Sequence, residues 1–251
     1  MQRLDRILAV IDPTVDIQVA AIKAARLARS TGAELELFAC DFDPALAGAP
    51  FFDTDEMGRL REDFVAKRAE QLERLAEELR ATGLAVCTHV HWDNPLHQGI
   101  LRRVRECAPD LVVKDTHYHS PLRRALFSNT DWNLIRTCPA PLLLVRQADW
   151  PANPLVLAAL DPGNRHDKPA ALDADILAGA RRLAAALGGT VEAVHAFFPA
   201  ALLAAAAGAA GGPMVPDISL TDLLDSERQR MTAAIRGLAD AQGLAERQVR
   251  V

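Results

Sequence analysis

The sequence predicts an α/β protein built on a parallel, doubly wound sheet, and three repeated observations support this. Short runs that are apolar at every position, such as residues 7–11 and 142–145, are typical of strands buried on both faces. Amphipathic stretches with helical spacing lie between these runs. Several of them end at glycine, which can adopt the left-handed conformation that stops a helix. Strands that alternate with helices favour parallel pairing.

The first part of the chain contains the elements of one complete sheet. Five strands are predicted, at residues 7–11, 35–40, 84–91, 111–113 and 142–145. The first helix is expected to follow Asp16 and end at Gly32, and the apolar positions predicted for its buried face are Val19, Ile22, Ala25, Leu27 and Ala28. A loop is expected over residues 43–58, before a long helix that ends at Gly83. Two more helices are predicted, from residue 94 to 107 and from 131 to 136.

Composition and charge exclude several functional classes. The chain has 251 residues and a formal net charge of -5, whereas a dedicated nucleic-acid binder is expected to be basic. Its four cysteines form no closely spaced pair, which is typical of a reducing compartment. The amino terminus lacks the apolar core of a signal peptide, and no apolar run is long enough to cross a bilayer. We therefore expect a cytoplasmic protein that acts on neither nucleic acid nor membranes.

The second part of the chain is expected to repeat part of the first. A strand over residues 155–160 ends in Asp161-Pro162, as the first strand ends in Asp12-Pro13. A helix over 176–187, a strand over 191–198 and a helix over 220–241 follow in the same order as before. So long a period indicates duplicated domains. We predict a complete domain at residues 1–147 and a second at 153–251 that lacks a counterpart of residues 92–145.

Several segments carry a specific resemblance to a known family. They are Val10-Ile11-Asp12-Pro13, Asp110-Leu111-Val112-Val113-Lys114, and Asn129-Thr130-Asp131-Trp132 followed by Cys138-Pro139-Ala140-Pro141. In this order and spacing, and with the tandem repeat, the chain resembles universal stress proteins of the tandem, E-type subgroup. The resemblance implies five parallel strands in the order 3-2-1-4-5. A ligand is then expected where the order reverses, at the carboxyl ends of the first and fourth strands.

The resemblance implies a ligand-binding crevice between those two strand ends. The residues expected to line it are Asp12, Pro13, Cys40, Lys114, Asp115, His117, Ser128 and Asn129, with Asp161 as the counterpart of Asp12 in the second domain. Structural alternatives stay open for two of them. Asp12 could simply cap the turn after its strand, and Lys114 could form an ion pair with Asp12 or Asp115.

Many members of the family bind ATP through a loop of the form G-x-x-G-x(9)-G-[S/T]. The glycines of this loop let backbone amides approach the phosphates closely. Here Asp115, Tyr118 and Ser128 stand at the glycine positions and Asn129 at the hydroxyl position. Because a carboxylate repels phosphate, we expect the first domain not to bind ATP in the usual mode. The second domain, as predicted at residues 153–251, is expected to lack the phosphate-loop region.

Two His-x-His pairs, His89/His91 and His117/His119, are candidate metal ligands. Residues i and i+2 of a strand share a face, so His89 and His91 could bind one ion, with His97 as a third ligand. In the implied strand order the two pairs lie about 14 Å apart, at roughly 4.8 Å per strand, and they cannot share one site. The alternative is that all four are ordinary polar side chains at strand ends and in a loop.

These observations favour a binding protein over an enzyme. The sequence contains no G-x-S-x-G elbow, HExxH motif or Walker loop. We predict a stress-response protein that acts by binding an unknown small molecule or by protein interaction. The alternatives are an adenine-nucleotide-binding domain with weak ATPase activity and a metal-binding sensor. Because domains of the family commonly pair through their fifth strands, residues 142–145 are expected to form an edge that mediates a homodimer.

Overall fold

The protein comprises two compact units, residues 1–149 and 150–251, and each is described by itself. A computed structural model describes residues 4–47, 55–116, 129–163, 169, 171–196, 220–244 and 249–250. Three predicted site residues, His117, His119 and Ser128, lie outside the described residues. Within the described residues, no helix is both long and apolar enough to cross a membrane.

The first unit alternates strands and helices along the chain. Its strands are β1 (Arg6–Ile11), β2 (Glu34–Asp41), β3 (Val86–Trp92), β4 (Leu111–Asp115) and β5 (Leu142–Val145). Its helices are α1 (Val19–Thr31), α2 (Asp55–Arg80), α3 (Leu96–Cys107) and α4 (Asn129–Thr137). All strand pairs are parallel, in the order β3-β2-β1-β4-β5. The predicted α/β fold class and strand order are confirmed.

The inner strands β1, β2 and β4 are buried on both faces, as their apolar runs predict, whereas β3 and most of β5 at the two edges of the sheet are half-buried. On one face, Leu8 and Val10 of β1 and Phe38 of β2 pack in one core with residues of α3 and α4. The alternate residues of β1 and β2 point the other way and are also buried. Helices α1 and α2 pack against the sheet strands as well. A parallel sheet covered in this way leaves its strand ends as the accessible edges for a ligand.

Helix α1 buries a face made mostly of alanine. Its buried apolar residues are Ala20, Ala21, Ala24, Ala25, Leu27 and Ala28, whereas Ile22 is 60% exposed. The prediction that Ile22 faces the core was therefore wrong. At 100° per residue, Ile22 lies on the side of the helix opposite to this alanine face. The helix stops as predicted at Gly32, which has a left-handed φ of 73° and donates its N–H to Ala28.

The segment predicted as a loop over residues 43–58 is partly helical. Pro44–Leu46 forms a short 3₁₀ turn, and α2 already begins at Asp55. Asp55 and Glu56 lie in the first turn of α2, where their negative charges complement the positive end of the helix dipole. These charges favour a helix start on the amino-terminal side of Gly58.

The second unit contains a smaller parallel sheet. Its elements are β6 (Leu155–Ala159), α5 (Leu172–Leu187), β7 (Thr190–Val194), α6 (Leu220–Ala241) and β8 (Val249–Arg250), and the strand order is β6-β7-β8. The strand predicted over residues 191–198 was too long, because β7 ends at Val194. Its neighbour β6 ends at Ala159, opposite Val194, so the ladder between them stops there. That this unit is an incomplete second copy of the first stays a prediction.

Candidate functional site

The carboxyl ends of β1 and β4 bring three of the predicted crevice residues to one edge of the sheet. Val10 pairs with Lys114, so Asp12 follows two residues after this pair on the neighbouring strand. Asp115 is the last residue of β4. The strand order reverses between β1 and β4, which is where a doubly wound sheet binds its ligands. Whether these residues contact a ligand stays a prediction.

Asp12 caps the turn that follows β1. Its Oδ1 accepts hydrogen bonds from the backbone N–H of Thr14 at 2.9 Å and from the Thr14 hydroxyl at 2.6 Å. The side chain of Gln18 donates to the Asp12 carbonyl at 2.8 Å, which ties the turn to the start of α1. Pro13 lies inside this turn and restricts its backbone. The capping alternative for Asp12 therefore has direct support, and a ligand at Oδ1 would compete with Thr14.

Lys114 forms its ion pair with a residue that the sequence did not suggest. Its Nζ lies 2.9 Å from Oδ1 of Asp131 on α4 and donates a hydrogen bond to the Asp115 carbonyl at 2.8 Å. The sequence suggested Asp12 or Asp115 as the ion-pair partner of Lys114, whereas the partner in the structure is Asp131. Asp131 reaches Lys114 only because α4 docks beside β4, and no local pattern in the sequence encodes that contact. The side chain of Lys114 is mostly buried by this arrangement.

Arg68 of α2 is a second residue that sequence reasoning missed. Its guanidinium forms a salt bridge of 2.7 Å with Asp41 at the end of β2 and donates to the Pro13 carbonyl at 3.5 Å. It also donates to Gln71 at 2.9 Å. Arg68 thus connects the carboxyl ends of β1 and β2. Nothing distinguishes it in the sequence from the other arginines of α2.

Cys40, which was predicted to line the crevice, is buried beneath α3. Its thiol lies within 3.9 Å of the Asp93 carbonyl and next to Gly99, the point where α3 approaches the sheet. Burial raises the pKa of the Cys40 thiol to about 12, and the nearby carboxylates of Asp93 and Asp41 raise it further. A thiol in this environment stays protonated and unreactive. Cys40 contributes to the packing of the core of the first unit.

The remaining predicted crevice residues lie on other segments of the chain, and whether they line the crevice stays a prediction. Asp161 is exposed after β6 in the second unit, and its N–H donates to Oδ1 of Asp173 at 3.2 Å. Asn129 begins α4 in the first unit. His117 and Ser128 lie outside the described residues.

The structure brings the first histidine pair together and adds a carboxylate to it. The Nε2 atoms of His89 and His91 are 2.9 Å apart on β3, and Oε2 of Glu106 on α3 lies 3.9 Å from Nε2 of His91. One ligand atom from each of the three lies within 4.8 Å of the others. Burial lowers the pKa of His89, and the positive charge of Arg103 lowers it further. Sequence reasoning missed Glu106 because it lies far from His91 along the chain, near the carboxyl end of α3.

His97 does not join this cluster. It lines a separate cleft of about 350 Å³ on α3 and α4, together with Gln98, Leu101, Arg102, Arg105, Asn133 and Thr137. Within the described residues, the third potential ligand beside His89 and His91 is Glu106 and not His97. Its position at the start of α3 directs it toward α4, while Glu106 at the end of α3 approaches β3.

Comparison with known proteins assigns the first unit to a family. The sequence pattern of the universal stress protein family matches residues 3–146. The chain belongs to the universal stress protein family. It is 29% identical over 161 residues to universal stress protein E of Escherichia coli K12, covering 64% of this chain and 51% of that protein. It is 24% identical over 163 residues to a universal stress protein E homolog of Haemophilus influenzae, covering 63% of this chain and 53% of that one.

The resemblance to E-type universal stress proteins is thus confirmed, and the chain spans about half the length of the curated relatives it matches. A solved structure of a functionally unknown protein from Pseudomonas aeruginosa PAO1 superposes with a TM-score of 0.66 at 24% identity. That match covers 98% of this chain and 73% of the other. At this identity the likeness establishes the fold alone. Membership of the universal stress protein family supports a role in the stress response.

Proposed function

We propose that this protein acts in the stress response by binding a ligand or a protein partner, without catalysing a reaction. The bound molecule would lie at the carboxyl ends of β1 and β4 and would not be ATP in the family's usual mode. A cytoplasmic location is consistent with four cysteines that are all free thiols. A homodimer formed through β5 (Leu142–Val145) is the proposed assembly.

The observation that carries this proposal is the pairing of Lys114. Its ammonium is engaged by Asp131 and by the Asp115 carbonyl, so a nucleotide phosphate would have to displace a carboxylate to reach it. Asp115 is 4% exposed and stands at the first glycine position of the family's phosphate loop. A buried carboxylate at that point opposes a polyphosphate and obstructs the close backbone approach that glycine permits. The charges at this edge therefore favour a ligand other than a triphosphate.

Titration with a fluorescently labelled ATP in the presence of Mg²⁺ tests the exclusion of ATP. We expect no saturable signal that unlabelled ATP can displace, because the Lys114 ammonium is already paired with Asp131. A companion titration of the Asp131→Asn variant frees Lys114 and should raise any weak ATP affinity. Tight, Mg²⁺-dependent and displaceable binding to the unmodified chain would contradict the proposal.

The physiological role is tested by survival of a strain from which the coding sequence is deleted. Survival after starvation, oxidant and heat treatment should fall and should be restored by the unmodified chain. Restoration by the Asp131→Asn variant would show that the Lys114 pair is dispensable for the role. Unchanged survival of the deletion strain under every treatment would refute a stress-response function.

A further inference from the structure

The cluster of His89, His91 and Glu106 has the spacing of ligands around one metal ion. Metal–ligand bonds of about 2.0–2.2 Å in a tetrahedral site place neighbouring ligand atoms roughly 3.3–3.5 Å apart. The two observed separations, 2.9 Å between the imidazole nitrogens and 3.9 Å from His91 to Glu106, lie on either side of this value. The ligand atoms of His89 and Glu106 lie within 4.8 Å of each other, so the carboxylate has to move toward the two imidazoles to reach coordination geometry.

The contacts among the three side chains do not satisfy all of their hydrogen-bonding atoms. The two Nε2 atoms can share only one hydrogen between them, and 3.9 Å is too long for a hydrogen bond between His91 and Glu106. The other ring nitrogen of His91, Nδ1, is buried and has no hydrogen-bond partner within the described residues. An ion placed between the three ligand atoms would use the lone pairs of both Nε2 atoms and of the carboxylate.

Neighbouring side chains hold these ligands in position. The ring of Phe38 is fully buried, lies parallel to that of His89 at 6.2 Å and meets that of His91 edge-on at 5.2 Å. On the other side, Arg103 donates to Glu106 at 3.1 Å and is itself held by Glu36. Glu36 offsets the charge of Arg103, so the guanidinium orients the carboxylate without leaving a net positive charge beside the ion. Such supporting contacts orient ligands in known metal sites.

We propose that His89, His91 and Glu106 form a binding site for a divalent transition-metal ion, with a fourth position open to water. Two imidazoles and one carboxylate suit Zn²⁺ or Co²⁺, whereas Mg²⁺ and Ca²⁺ prefer oxygen ligands. The Glu106 side chain is 43% exposed, which gives an ion access from solvent. The site lies at the β3 edge of the sheet and is independent of the function proposed for the β1 and β4 ends.

The test is a titration of the full, tag-free and metal-stripped chain with Co²⁺, followed by visible absorption and by calorimetry. The double variant His89→Gln/His91→Gln should lose one bound ion relative to the unmodified chain. Glu106→Gln should weaken that binding by roughly 10–100-fold or more, since even supporting residues of metal sites contribute this much. Zn²⁺ should displace the Co²⁺.

The matched control is His117→Gln/His119→Gln, which removes the other His-x-His pair and should retain the ion. Thermal melting in metal-free buffer checks that each variant is folded. If the double histidine variant melts early, Glu106→Gln serves as the test. Its substitution should disturb the fold less, because Glu106 is half-exposed. The proposal is overturned if the unmodified chain binds no ion. It is also overturned if Glu106→Gln binds as tightly as the unmodified chain, or if only the control variant loses the ion.

Discussion

Gly99 allows α3 to approach the sheet more closely than any side chain would permit. A Cβ at this position would overlap Sγ of Cys40 and lie 2.9 Å from Cβ of Asp93. We expect Gly99→Ala to lower the free energy of unfolding by about 1–3 kcal/mol through overpacking. Gly58→Ala on α2 is the control, since a Cβ there meets nothing within 4 Å and helix propensity favours alanine. Urea denaturation that finds the two variants alike would contradict this account of Gly99.

Cys40 is expected to make stability decline at alkaline pH. Its pKa rises from the ordinary 9.0 to about 12 in the folded chain, mainly because of burial. Above pH 9 the unfolded chain loses the thiol proton first, so unfolding becomes more favourable by up to about 1.4 kcal/mol per pH unit. Below pH 9 both states keep the proton and the effect vanishes.

Urea denaturation at several pH values measures this effect. The decline in unfolding free energy between pH 9 and 11 should be shallower for Cys40→Ala than for the unmodified chain. Iodoacetamide at pH 8 should also label Cys40 far more slowly in the folded chain than in urea. Equal labelling rates in the two states would show that the thiol is accessible.

At the scale of elements, a buried ion pair joins β2 to α3. Nε and Nη2 of Arg103 donate to the two carboxylate oxygens of Glu36 at 2.5 and 3.0 Å, and Glu36 is 3% exposed. These hydrogen bonds raise the pKa of Arg103 above its ordinary value, so the guanidinium stays charged. The pair fixes the rotation of α3, which also determines where Glu106 and Gly99 lie.

We expect Arg103→Met to cost about 3–5 kcal/mol, because it leaves the Glu36 carboxylate buried without a counter-charge. The same substitution at the exposed Arg105 of α3 should cost less than about 1 kcal/mol. Adding Glu36→Gln to Arg103→Met should recover part of the loss. Chemical denaturation measures all three, and equal losses for Arg105→Met and Arg103→Met would contradict the assignment.

At the scale of the whole molecule, β5 is the end strand of the first sheet and pairs only with β4 in the described structure. The carbonyls of Pro141 and Val145 accept hydrogen bonds from Val112 and Thr116 of the β4 side. Because backbone groups alternate along a strand, those of Leu142 and Leu144 face away from β4. An apolar edge of this kind pairs readily with another strand.

The proposed homodimer predicts about twice the 27.2 kDa chain mass in light scattering coupled to size-exclusion chromatography. Leu144→Pro removes an amide that faces away from β4 and should shift the mass to that of one chain. Circular dichroism checks that the variant keeps its fold. A monomeric mass for the unmodified chain across the micromolar range would exclude the dimer.

The sequence by itself determined the α/β class and the order and type of the elements. Apolar runs such as residues 7–11, glycine stops such as Gly32 and the Asp12 turn are local features, and local sterics and burial are enough to specify them. The errors at this level, at Ile22, at the start of α2 and at the end of β7, concerned a helix rotation and two boundaries.

Only the tertiary structure decided which charged and polar side chains meet. Lys114 pairs with Asp131, Glu106 joins His89 and His91, and Arg103 binds Glu36 across 67 residues of chain. Each of these contacts depends on how a helix docks and rotates against a strand. The spacing of residues along the chain does not predict that docking. The histidine pair was visible in the sequence because both of its members lie on one strand, whereas the carboxylate that completes the cluster was not.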